Sequence, residues 1–129
     1  MVLLHAITST SPDSLKNHKS DMIILDEFSH TPISSVYELM TVVNKLVDTN
    51  PNMKLIIASV PNGINYFYKL WADAISNFND YHAIKIPYTV IPHRDEKWKQ
   101  LEIAMLGKEK FEQEYECVFH EGTKGDLYA

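Results

Sequence analysis

The chain has 129 residues, 45% of them hydrophobic and 22% charged, with four glycines and six prolines, a composition that excludes disordered, collagen-like and low-complexity classes. Its net charge of -5 argues against a free-standing nucleic-acid clamp, because such binders are usually basic. Cys117 is the only cysteine, which leaves no intrachain disulfide and no cysteine metal cluster and suits a reducing, intracellular setting.

Residues 2–7 (VLLHAI) read as a short strand, and no basic leader precedes them, so a signal peptide is not expected. No run approaches the length of a membrane span. Residues 8–19 are rich in Ser, Thr, Pro, Asp and Asn and read as loop, with room for one helical turn after Pro12-Asp13. Residues 22–25 (MIIL) form a continuous apolar run, the pattern of a strand buried on both faces. Thr31-Pro32 then breaks the chain. Ser34 or Ser35 is placed to cap a helix that carries Val36, Leu39, Met40, Val43, Leu46 and Val47 on one stripe, and Asn50-Pro51-Asn52 stops it. Residues 55–58 (LIIA) read as a second buried strand, followed by the turn chemistry of SVPNG, residues 59–63.

A second helix is expected around Phe67, Leu70, Trp71, Ala74 and Ile75. Residues 83–91 read as extended despite Pro87, and residues 93–97 as an exposed charged loop. A helix over 98–106 should place Trp98, Leu101 and Met105 on one side, with Gly107 ending it. A short helix follows over 109–116, and residues 117–119 read as extended. The alternation of strands and helices predicts an α/β fold with a mostly parallel sheet.

One βαβ unit over residues 22–58 would bring the carboxyl ends of both strands to one edge of the sheet, where ligands bind in open α/β folds. Asp26 and Glu27 lie at that edge. An apolar strand ending in Asp-Glu is the Walker B arrangement, in which one acid holds Mg²⁺ and the other orients the attacking water. The plainer reading makes Glu27 a cap for the next segment and Asp26 a solvated turn residue. The six histidines have no metal-ligand spacing. Tyr66, Phe67, Tyr68 and Trp71 at helical spacing read as core before they read as a base-stacking platform. Lys97, Lys99, Lys108 and Lys110 alternate with acids as a solvated face does, and Cys117 reads as a packed small hydrophobe.

Three blocks in order, SPDSLKNHKSDMIILDEFSH, KLIIASVPNGINYFYKLW and FEQEYECVF, resemble the large terminase subunit of tailed bacteriophages. The resemblance runs from about Ser9 to Gly125. It implies a partial P-loop NTPase of the ASCE type, a parallel sheet flanked by helices, with residues 1–129 forming one partial domain, the second half of the ATPase domain. By position, Asp26 matches the metal-associated acid, holding Mg²⁺ through water, and Glu27 the catalytic glutamate. Ser59 to Gly63 matches the coupling motif, in which Ser59 and Asn62 would face the nucleotide; Val60 departs from the usual Thr. No G-x-x-x-x-G-K-[ST] loop occurs, so the Walker A strand and loop are expected upstream and the nuclease domain downstream. The implied cofactors are ATP and Mg²⁺. The implied partners are double-stranded DNA, the portal protein, the small terminase subunit and further copies in a ring, acting in the host cytoplasm without a membrane. Two alternatives stand beside this reading: a helicase-type P-loop motor, and a non-catalytic interaction module. Without the phosphate loop the chain alone is expected to be inactive.

Overall fold

A computed structural model describes residues 21–121, so the expected strand at residues 2–7 and the loop after it lie outside the described residues. The chain divides after Ser59 into two compact units.

The first unit is a βαβ arrangement. Strand β1 (Met22–Leu25) and strand β2 (Lys54–Ile57) pair in parallel, with Met22 opposite Lys54 and Leu25 opposite Ile57. Helix α1 (Ile33–Thr49) connects them. Its buried residues Val36, Leu39, Met40 and Val43 recur at intervals of three and four, and Val42 widens the stripe. The helix ends where Asn50 returns its amide to the carbonyls of Leu46 and Val47 (3.1 and 3.2 Å) and its side-chain amide to Leu46 (2.9 Å). Its start differs from the expected serine cap. Pro32 occupies the cap position, and its fixed φ with an extended ψ (-57°, 141°) launches the helix without a side-chain hydrogen bond.

The sheet also departs from expectation. The two strands are the whole sheet among the described residues, and their apolar runs are not buried on both faces. Ile23 is 7% exposed, whereas Ile24 is 57% exposed and its partner Ile56 is also open. Alternate side chains point to opposite faces of a strand, and among the described residues the Ile23 face is the more buried one.

The second unit is helical. Helix α2 (Tyr66–Ile75) is capped by Asn65, whose Oδ1 accepts the Tyr68 amide at 3.3 Å, and its end passes through left-handed Asn77 (φ 59°). Helix α3 (Glu96–Leu106) is capped by Asp95, which accepts the Trp98 amide at 2.9 Å. Gly107 closes α3 by donating to the Ile103 carbonyl and opens helix α4 (Lys108–Tyr115) by accepting the Phe111 amide. Its φ of 84° is the reason for glycine there, since a Cβ would meet nothing within 4 Å.

Residues 83–91 do not form a strand. Pro87 denies the ladder a donor, and the chain makes a 3₁₀ turn at Tyr88–Val90 instead. Residues 117–119 are not a strand either, because Cys117 takes a left-handed φ of 59°. On α3, Trp98 is drawn inward while Leu101 and Met105 are exposed. The inward face follows the aromatic cluster and includes Lys99, Glu102 and Ile103, all half-buried, so the apolar stripe does not mark it.

Candidate functional site

Asp26 and Glu27 follow β1 directly and are both exposed. The ladder does not end before them. The Ala58 amide donates to the Leu25 carbonyl at 2.9 Å, and the Phe28 amide donates to the Ala58 carbonyl at 3.1 Å. One residue at the end of β2 thus grips the chain on both sides of the acid pair. Between these grips Asp26 and Glu27 form a two-residue excursion out of the sheet, which explains why two charges can follow an apolar strand without being buried.

The excursion has a defined backbone. Glu27 is left-handed (φ 49°, ψ 39°), a conformation that costs a non-glycine residue about 1–3 kcal/mol. Its amide donates to Asp26 Oδ1 at 2.9 Å, which occupies one oxygen of that carboxylate. A 3₁₀ turn follows at Phe28–His30, with the His30 amide returning to the Glu27 carbonyl at 3.0 Å. Glu27 stands at the cap position of this turn, but its side chain makes no capping hydrogen bond. The carboxylate is therefore not engaged as the plainer reading required.

Phe28 and Ser29 are buried beneath the excursion. The Ser29 amide donates to Ser59 Oγ at 3.1 Å, and the two hydroxyl oxygens lie 2.6 Å apart. Asp26, Glu27 and Ser59 consequently share the carboxyl end of one parallel sheet. Ser29 has no mark in the sequence; a serine two residues past an acid pair carries no signal until its partner across the sheet is known.

Asn62 belongs to the second unit. Its carbonyl accepts Asn65 Nδ2 at 3.0 Å, and Gly63 takes φ 74°, so the turn runs straight into the cap of α2. Pro61 is buried, and its carbonyl accepts Gln113 Nε2 at 2.7 Å. Phe119 lies against Phe67, Tyr68 and Trp71 with ring centroids 6.0, 5.2 and 6.5 Å away. The aromatic residues of α2 are thus engaged in packing. Cys117 Sγ lies 3.5 Å from the Ile86 carbonyl. The FEQEYECVF segment is what secures the PNG turn and α2.

No group of three or more His, Cys, Asp or Glu among the described residues is arranged to hold a metal ion. A cation held by one exposed carboxylate and otherwise by water and phosphate oxygens needs no such group, and this is the usual manner of Mg²⁺. Asp26, with one oxygen fixed by the Glu27 amide, fits that manner of binding.

Residues 2–129 match the family described as terminase large subunit, T4likevirus-type, N-terminal. The chain belongs to this terminase family. Among solved structures it is similar to a mutant of the large terminase ATPase domain of Thermus phage P74-26, with a TM-score of 0.61 and 22% identity. That match covers 88% of this chain and 49% of the other, so this terminase chain spans about half the length of its structural relative. The likeness carries the α/β fold. No helix among the described residues is long and apolar enough to cross a membrane.

Proposed function

We propose that this terminase chain supplies the acidic strand end of an ATP-hydrolysing motor that moves double-stranded DNA into a procapsid in the host cytoplasm. The observation that carries the reading is the Asp26-Glu27 excursion, gripped on both sides by Ala58 and left with exposed carboxylates. Asp26 would hold Mg²⁺ through water. The ion, when bound with ATP, supplies charge neutralisation at the phosphates. Glu27 orients the attacking water and accepts its hydrogen bond, a task suited to a carboxylate with no capping bond to break. Ser59 and Asn62, at two positions of the SVPNG sequence, are the residues that would respond to the nucleotide state. The phosphate-binding loop would come from sequence outside this chain. The portal, the small terminase subunit and further copies in a ring are the partners that the family reading supplies.

The test uses the full-length terminase that contains this segment. Glu27→Gln should retain ATP binding and lower the rate of phosphate release by about 10²- to 10⁴-fold. Asp26→Asn should weaken Mg²⁺-dependent nucleotide binding. Hydrolysis by Glu27→Gln at near-parental rate would move the water-orienting role to another residue.

A further inference from the structure

Ser29 is 5% exposed, the buried polar side chain among the described residues. Burying a hydroxyl is unfavourable unless it is paired, and this one is paired across the sheet with Ser59 at 2.6 Å. The same Ser59 oxygen accepts the Ser29 amide at 3.1 Å. Backbone and side chain of one residue therefore converge on a single atom at the end of β2.

Two further observations give this pairing a direction. Ser29 lies two residues beyond Glu27, and the left-handed Glu27 backbone persists only because the chain on either side of it is fixed. The fixed points are Leu25 and Phe28 on Ala58, and then Ser29 on Ser59. Ser59 is also the last residue of the first compact unit, where the chain passes into the second. A displacement of Ser59 bears on Ser29 as well as on the ladder bonds of Ala58, and Ser29 is joined to Glu27 through Phe28 alone.

We propose that Ser29 is a positioning residue, which sets the Glu27 carboxylate through its hydroxyl pairing with Ser59. Glu27 then adopts its working placement only while Ser59 holds its own, and the turn that begins at Ser59 gains control over the acid. This rests on the proposed role of Glu27 as the acid that orients water. It assigns Ser29 no contact with substrate.

The experiment is steady-state ATP hydrolysis by the full-length terminase carrying Ser29→Ala, Ser59→Ala, both together, or Ser59→Thr, with Glu27→Gln as reference. Loss of one buried hydrogen bond that places a catalytic group should lower kcat about tenfold in either alanine variant, and in Ser29→Ala it should leave KM for Mg²⁺-ATP unchanged. The double variant should fall no further than either single one, because both remove the same link, and Ser59→Thr, which keeps the hydroxyl, should restore kcat. If Glu27→Gln abolishes turnover while Ser29→Ala retains parental kcat, the positioning role is wrong and the Glu27 role survives. The positioning role is equally wrong if the two alanine effects multiply to about a hundredfold. If Glu27→Gln itself turns over normally, the Glu27 role fails and the positioning role fails with it. Should Ser29→Ala not fold, the less buried Ser59→Ala and Ser59→Thr pair decides the question by the same kcat comparison.

Discussion

The loop at the end of β1 and the aromatic cluster of the second unit hold their residues by opposite means. At the loop, Asp26 and Glu27 are exposed, the backbone is left-handed, and the restraints are hydrogen bonds to Ala58 and Ser59. In the cluster, Phe111 has no exposure and meets the rings of Tyr88, Trp98 and Tyr115 at centroid distances of 5.4, 5.9 and 5.4 Å. Charge there lies against the rings themselves. Arg94 lies over Trp98 and Tyr115 at 4.9 and 5.4 Å, and Lys99 pairs with Glu116 at 3.0 Å. Apolar contact is strong and undirected, whereas hydrogen bonds fix direction at modest net gain. The cluster is built for stability and the loop for placement.

The largest effect should come from breaking the cluster. Phe111→Ala removes a ring with no exposure and leaves a cavity among three other rings, so it should cost about 3–5 kcal/mol. Chemical denaturation of the chain followed by tryptophan fluorescence measures this, since Trp98 is in the cluster. A loss below about 1 kcal/mol would mean that the cluster collapses freely around the gap, and the contrast between the two regions would lose its basis.

A smaller and opposite effect is expected at the loop. Glu27→Gly removes the left-handed penalty and should stabilise the chain by about 1 kcal/mol, after allowance for the added freedom of glycine in the unfolded chain. The same substitution removes the carboxylate to which hydrolysis is assigned. A gain in denaturation midpoint together with loss of turnover in the full-length protein would mark the loop as a place where stability is given up for function. A loss of stability would show that the Glu27 side chain stabilises the fold, which favours the plainer structural role.

The same contrast explains what could be read from the sequence. The βαβ unit was legible because its strands are short apolar runs and α1 has a clear stripe ending at Asn50-Pro51. The position of the acid pair followed from parallel topology alone. The excursion itself did not, since no pattern in DEFSH announces a left-handed Glu27 or a hydroxyl link to Ser59, thirty residues away. The second unit was less legible because its inner face is aromatic and partly charged. Lys99 and Glu102 face inward where Leu101 and Met105 do not, and hydropathy spacing ranks them the other way. Residues 83–91 are a related case: they read as extended despite Pro87, but that proline and the turn at Tyr88–Val90 decide the backbone.

The smallest expected effect is a titration confined to the second unit. Burial, with the neighbouring Tyr66 phenol adding to it, raises the pKa of Tyr81 above the ordinary tyrosine value of about 10. The hydrogen bond to Glu116 raises Lys99 above the ordinary lysine value. Both shifts mean that the folded chain keeps a proton which the unfolded chain has already released. Neither group makes stability depend on pH well below about pH 9, where both states are protonated. As pH rises through the ordinary values and on to the raised ones, unfolding releases protons and stability falls. The Lys99–Glu116 pair is fully present below the ordinary lysine value and is lost above the raised one. The Tyr81 share can be isolated, because Tyr81→Phe cannot ionise. Denaturation midpoints taken between about pH 8 and pH 11 should therefore fall less steeply for Tyr81→Phe than for the parent. Parallel curves would show that Tyr81 ionises equally readily in the folded and unfolded chains, and that its surroundings in the second unit are wetter than its burial implies.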